Sequence, residues 1–233
     1  MQIMSIGGNC SGLSILGRLR VPGPVDNWST QHGFADVPCL FEDFKEVISA
    51  GPLEILPHPK GFPTDCDKRY RYKMWQNSSD YHNLPNINGF AQGYGYEYKT
   101  TGTTADRKSK RFMTDIAKAY PDSAGIVSWK LDYRLLKDGS LSLTETFRLQ
   151  KPAPVELHFL APERPDISRQ GKIGLNAGLT LQYDARALKA SVEEIPVTGT
   201  GIGWESFGPS LYRLTLSSKS SPQKGTYSLK ILR

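Results

Sequence analysis

The stretch IVSWKLDYRLLKDGSLSLTETFRL, from Ile126 to Leu149, decides the fold. Its period is two. Val127, Trp129, Leu131, Tyr133 and Leu135 fall on one side, and Ser128, Lys130, Asp132 and Arg134 on the other. That is the alternation of a strand with one buried face. KDGS then brings Asp138-Gly139, a pair suited to a hairpin because it tolerates positive φ. The return strand points Leu141, Leu143, Phe147 and Leu149 inward.

Working outward, PVELHFLA continues the same grammar, with Val155, Leu157 and Phe159 on one side and His158 on the other, read as a solvated histidine. Further strands are expected in GKIGLNAGLTLQYD (171–184), LKASVEEIP (188–196), LYRLTLSS (211–218) and GTYSLKIL (225–232). Many short alternating strands divided by Gly, Pro and Ser predict an antiparallel sandwich. RFMTDIAKAYPDSAG (111–125) fits either a strand with a helical turn or a short helix.

The period changes upstream. Residues 1–50 read as a short α/β extension: QIMSIGG as a strand, CSGLSILGRL at helical spacing, and FADVPCLFEDFKEVISAG with Phe34, Val37, Leu40, Phe41, Phe44 and Ile48 on one helical face. GPLEILPHPKGFPTD places Pro52, Pro57, Pro59 and Pro63 too close together for a regular element, so residues 51–67 read as a linker. The expected architecture is thus mainly β: an antiparallel β-sandwich over 68–233 with a short α/β N-terminal extension.

At 233 residues, 38% hydrophobic and 22% charged, the chain has the composition of a globular protein able to bury a core. No apolar run reaches the length of a membrane span. MQIMSIGGNCSG lacks the basic and apolar regions of a secretory signal, which sets a cytoplasmic expectation for the sequence as it stands. A net charge of +6 favours anionic partners, with basic clusters at DKRYRYK (67–73) and DRKSKR (106–111). Cys10, Cys39 and Cys66 form no CxxC pair, which argues for reduced thiols.

The strings RYKMWQNSSDYHNLPNINGFAQ (71–92) and DIAKAYPDSAGIVSWKLDYRLLKDGSLSLTETFRLQKPAPVELHFLAPERPDIS (115–168) carry a resemblance. Over residues 68–233 the sequence resembles the C-terminal β-sandwich of heparinase II/III-like polysaccharide lyases, above all in Tyr81-His82-Asn83-Leu84-Pro85 and the Ile87-Asn88-Gly89 that follows. The family is often periplasmic or secreted and cleaves acidic, uronate-containing polysaccharide by β-elimination. A base removes the proton α to the carboxylate, and an acid protonates the leaving oxygen.

The resemblance implies several roles. His82 would be a zinc ligand or catalytic histidine, and Asn83 would fix the turn behind it and face substrate. Tyr70 or Tyr72 would be the catalytic tyrosine. Arg69, Arg71 and Lys73 are the nearest cations for neutralising a uronate. The family's other zinc ligands have no counterparts here: the H-x-H segment is absent, and His32, His58 and His158 match no ligand position. Zinc is therefore expected at an incomplete site. The family's α/α-toroid, which supplies most of the cleft, is also absent from this stretch, and a toroid domain on another chain is a candidate partner. The partner implied is an acidic polysaccharide rather than nucleic acid.

A second resemblance covers SIGGNCSGLSILGRLRVPGPVDNWS (5–29), which is similar to the opening of a papain-like cysteine peptidase family. There Cys10 would be the nucleophile, its thiolate favoured by a helix N-terminus. A third class is a module whose basic face binds an anionic partner. Trp204 and Glu205 in GIGWESFGP complete the candidates, as a sugar-stacking lip.

Overall fold

In the computed structural model, residues 79–93, 97–106, 108–196 and 209–232 are described. The 1–50 extension, the 51–67 linker and the start of the sandwich at Lys68 lie outside them, as do Trp204 and Glu205. The described residues form two antiparallel sheets. One has four strands in the order β1 (Pro85–Ile87), β6 (Val155–Ala161), β11 (Ser210–Ser218) and β10 (Leu188–Pro196). The other has eight: β2 (Thr101–Asp106), β3 (Arg111–Asp115), β4 (Ile126–Leu135), β5 (Leu141–Leu149), β12 (Lys224–Leu232), β9 (Thr180–Gln182), β8 (Lys172–Gly174) and β7 (Asp166–Arg169). The antiparallel sandwich expected from the alternation is what forms.

The hairpin of β4 and β5 lies within the large sheet. Trp129 opposes Phe147, and Tyr133 opposes Leu143. Gly139 takes φ +79°, while Asp138 accepts the backbone N–H of Ser140 at 3.0 Å, so glycine alone supplies the left-handed position. Trp129, Leu131, Tyr133, Leu141, Leu143, Phe147 and Leu149 are all buried. Facing them from the small sheet are Val155, Leu157 and Phe159 of β6 with Leu214 and Leu216 of β11. The rings of Trp129 and Phe147 stack at 4.6 Å between centroids, and Tyr227 of β12 lies 5.3 Å from Phe147. Gly225 opposes Phe147, and a Cβ there would fall 3.0 Å from the ring, so a larger residue would press on the stack.

Two expectations are corrected. Val127 is 43% exposed, because a register shift between Ile126 and Ser128 breaks the alternation one residue early; Ile126 packs on the core instead. His158, read as solvated, is 4% exposed. It does lie on the outer face of the small sheet, but the segment from Ser79 to Leu84 runs over that face. The ambiguous stretch 111–125 resolves into β3 followed by two 3-10 turns, Ala117–Ala119 and Asp122–Ala124. No helix among the described residues is long and apolar enough to cross a membrane.

Trp129 is fully buried and donates its indole N–H to Glu145 Oε2 at 2.7 Å. Trp129→Ala should therefore cost about 3–5 kcal/mol in denaturant unfolding, the range for deleting a large buried aromatic. A loss under about 1 kcal/mol would show that this ring does not anchor the core.

Candidate functional site

The Tyr81-His82-Asn83 string sits where the chain enters the small sheet at its β1 edge. Ser79–Tyr81 form a 3-10 turn, closed by the bond from His82 N–H to the Ser79 carbonyl at 3.1 Å. Ser79 Oγ accepts the backbone N–H of Gln92 at 2.7 Å and so ties the start of the segment to its end. Between them, Asn88 (φ 55°) and Gly89 (φ 78°) turn the chain, and Ile87 and Phe90 exchange both backbone bonds, at 3.1 and 2.9 Å. Consecutive positive φ values define a type I′ hairpin turn, for which Asn-Gly is the preferred pair.

His82 is 1% exposed and Asn83 is 8% exposed. Asn83 Oδ1 accepts the backbone N–H of Leu160 at 2.9 Å, and Leu84 O accepts that of His158 at 3.3 Å. These bonds extend the pairing of β6 past the end of β1, with a side-chain oxygen substituting for a ladder carbonyl. Asn83 thus ties the segment to β6. Asn83→Ala should leave the Leu160 N–H buried without this acceptor, at a cost of about 1–3 kcal/mol by denaturant unfolding. A neutral change would show that the side-chain bond does not hold the edge.

Outside this turn, charged groups gather on the outer face of the small sheet. Asp80 Oδ1 accepts from Asn86 Nδ2 at 2.8 Å and lies 4.0 Å from His158 Nδ1. His158 Nε2 lies 3.3 Å from Glu156 Oε2, and Ser217 Oγ donates to Glu156 Oε1 at 3.2 Å. Arg213 donates to the Asp80 carbonyl at 3.2 Å, pairs with Glu193, and lies over the Tyr81 ring at 4.6 Å. Burial holds His158 below the ordinary histidine range; the positive charge of Arg213 adds to this, and Glu156 and Asp80 oppose it. The imidazole is therefore favoured in its neutral form.

A second polar group lies in the core, and the sequence reading passed over it. Glu145 alternates with Leu143 and Phe147 on the inward face of β5, and it is 3% exposed. Its carboxyl receives the indole N–H of Trp129 at 2.7 Å and the phenol of Tyr133 at 3.4 Å. Burial pushes it from 4.5 up to about 7, with the two hydrogen bonds opposing the rise. Tyr120, fully enclosed and donating to the Pro85 carbonyl, is raised well above its ordinary value by burial.

The sign of the Glu145 effect follows from linkage. The folded state holds this proton to higher pH than the unfolded chain does. Stability is therefore full below about pH 4.5 and declines as pH rises toward 7. The loss is on the order of 3 kcal/mol. Unfolding measured from pH 4 to 8 should show this decline, and Glu145→Gln should flatten it. A slope that persists in the variant would place its origin elsewhere.

Of the sequence candidates, His82 and Asn83 share one buried turn. Tyr70, Tyr72, Arg69, Arg71, Lys73 and Cys10 lie outside the described residues, as do His32 and His58. Among the described residues, no group of three or more His, Cys, Asp or Glu side chains is placed to hold a metal ion. Those residues do not supply His82 with the donor set that zinc takes. The basic cluster DRKSKR spans the link from β2 to β3, where Asp106 accepts from Lys108 N–H and Ser109 Oγ, and Arg111 reaches Asp132.

No protein-family model matches the sequence, and no curated protein matches it. The fold does match solved structures. A mutant heparan sulfate lyase HepC from Pedobacter heparinus matches at a TM-score of 0.53 and 10% identity, over 73% of this chain and 26% of the lyase. A heparinase III gene product matches at 0.50 and 8% identity, over 71% of this chain and 25% of its own. The chain spans about a quarter of the length of these structures. At such identities the likeness is one of fold. The sandwich has the polysaccharide-lyase-like fold of part of the heparan sulfate lyases, the same group to which the Tyr81-His82-Asn83 string pointed.

Proposed function

We propose that this chain is the sandwich portion of a heparinase II/III-like lyase for acidic, uronate-containing polysaccharide, and that alone it turns over little or no substrate. The carrying observation is the fold match, which covers most of this chain and only about a quarter of the lyases. The placement of His82 supports the second half of the reading. At 1% exposure, the imidazole is buried rather than presented to a polymer.

Elimination needs a base for the proton α to the carboxylate, an acid for the leaving oxygen, and a cation to neutralise the carboxylate. In this reading Tyr70 or Tyr72 is the tyrosine of the complete enzyme, and Arg69, Arg71 and Lys73 supply the cation. His82 and Asn83 are positioning residues that hold the edge of the sandwich. The rest of the cleft belongs to the α/α-toroid of the complete enzyme. Zinc is not assigned a step.

Cleavage yields an unsaturated uronate, so the test is ultraviolet absorbance on heparan sulfate, chondroitin sulfate and alginate. Wild type, Tyr70→Phe, Tyr72→Phe and His82→Ala should all give no detectable rise, while His82→Ala should unfold at lower denaturant. Wild-type turnover that is abolished by one tyrosine change and by His82→Ala would overturn the reading and make His82 catalytic.

A further inference from the structure

The register of β4, β5 and β12 lays out the exposed face of the large sheet as a grid. Ser128, Arg148 and Lys224 share one row, and Lys130, Thr146 and Thr226 the next. Asp132 heads the third row and Arg134 the fourth, which ends on Lys230. Across these rows stand five cations, Lys130, Arg134, Arg148, Lys224 and Lys230, against the single carboxylate of Asp132. Serine or threonine fills every other position. With strands about 4.8 Å apart and alternate residues about 6.8 Å apart, the grid measures roughly 10 by 20 Å.

The cations fall into two groups. Arg134 lies 3.2 Å from Asp132 and Lys230 lies 3.3 Å from Asp138, both as exposed pairs that contribute little. Lys130, Arg148 and Lys224 have no carboxylate partner among the described residues. Asp115, opposite Lys130 on β3, is turned instead to the backbone N–H groups of Ala117 and Trp129, at 3.0 and 3.1 Å. Between these three cations, the hydroxyls of Thr146 and Thr226 lie 3.1 Å apart.

The outer face of the small sheet is balanced. There Lys189 and Arg213 on β10 and β11 meet Glu156 and Glu193, and Arg213 pairs with Glu193. Of these two outer faces, only that of the large sheet carries an excess of cations among the described strand residues.

We propose that this grid docks a sulfated or carboxylated polysaccharide, a role that rests on the lyase reading and adds a contact surface outside the His82 turn. Charge complementarity sets the class of partner. Within the grid, the hydroxyl rows select a polysaccharide over nucleic acid. No aromatic ring stands there for a base to stack on, as single strands require.

The test uses the full chain with a size-defined heparin oligosaccharide as probe, titrated at several salt concentrations. A K130S/R148S/K224S variant removes the three cations that lack ion partners. Its melting temperature should stay within about 2 °C of wild type, because exposed substitutions of this kind are nearly neutral. Its affinity should fall at least tenfold, and the salt slope should decrease by roughly two to three, the number expected for three lost charge contacts. Lys189→Ser on the opposite face should bind as wild type does.

Unchanged binding in the triple variant would overturn the proposal. So would an equal loss in Lys189→Ser, which would reveal diffuse net charge, or equal affinity for single-stranded DNA. Docking and turnover fail separately. Triple-variant binding like wild type would remove the docking face whatever the absorbance test shows, whereas His82-dependent cleavage would overturn the inactive-portion reading and leave this face in place.

Discussion

Trp129 and Glu145 form the contact on which the rest of the sandwich depends. The indole is fully buried, stacked on Phe147 and bonded to the carboxyl of Glu145. A buried carboxyl is costly unless its oxygens are satisfied, and a buried indole N–H is costly without an acceptor. Each group offsets the other's desolvation only if β4 and β5 keep their register. Slipping that register by one residue would put Lys130 or Ser128 in the core and leave Glu145 without its donor. The polar pair therefore acts as a register pin within an apolar layer. The aromatic stack runs on through Tyr227 and over Gly225, so β12 is locked to the same pin.

The edge of the small sheet meets a different constraint. β1 has only three residues, and β6 would otherwise present backbone donors beyond its end. The segment from Ser79 to Leu84 answers this by supplying Asn83 Oδ1 and the Leu84 carbonyl to the donors of Leu160 and His158. Covering an edge in this way removes the unpaired row that invites another strand. It also explains why Asn83 lies buried: its side-chain oxygen is used by the sheet. The same cover encloses His158 beside Asp80, where burial keeps the ring neutral.

Much of this fold was legible. The alternation of β4, β5 and β6 identified the buried faces, β11 and β12 were expected as strands, and Leu141, Leu143, Phe147, Val155, Leu157 and Phe159 are where period two placed them. The failures have physical causes. Val127 was misassigned because a bulge resets the phase, and a bulge has no signature in hydrophobicity. His158 was misassigned because alternation reports which face a residue lies on, not whether another segment covers that face. β2 was missed because TGTTAD is an edge strand with a broken register and almost no buried side chain, so its hydrogen bonds to β3 are its main tie to the sheet. Glu145 was passed over for a simpler reason: a carboxylate amid inward positions looks like an interruption until its donors, Trp129 and Tyr133, are seen on the neighbouring strand. The Asn88-Gly89 signal, by contrast, was present in the sequence and needed only to be read as a type I′ turn.

The candidate site was less legible than the fold, since chemistry depends on exposure and convergence, and neither is periodic. Tyr81-His82-Asn83 could be found as a string, but its order alone does not distinguish a histidine that meets a polymer from one that seats an edge strand. An imidazole at 1% exposure, with Asn83 beside it committed to the backbone of β6, is in a place where substitution acts first on the sheet. The exposed cations of β4, β5 and β12 are in the opposite situation. They lie on a face whose backbone bonds are complete and whose packing is on the far side, so their charges are not needed to hold the fold. Residues of that kind are the ones through which a rigid sandwich can meet an anionic polymer without changing shape.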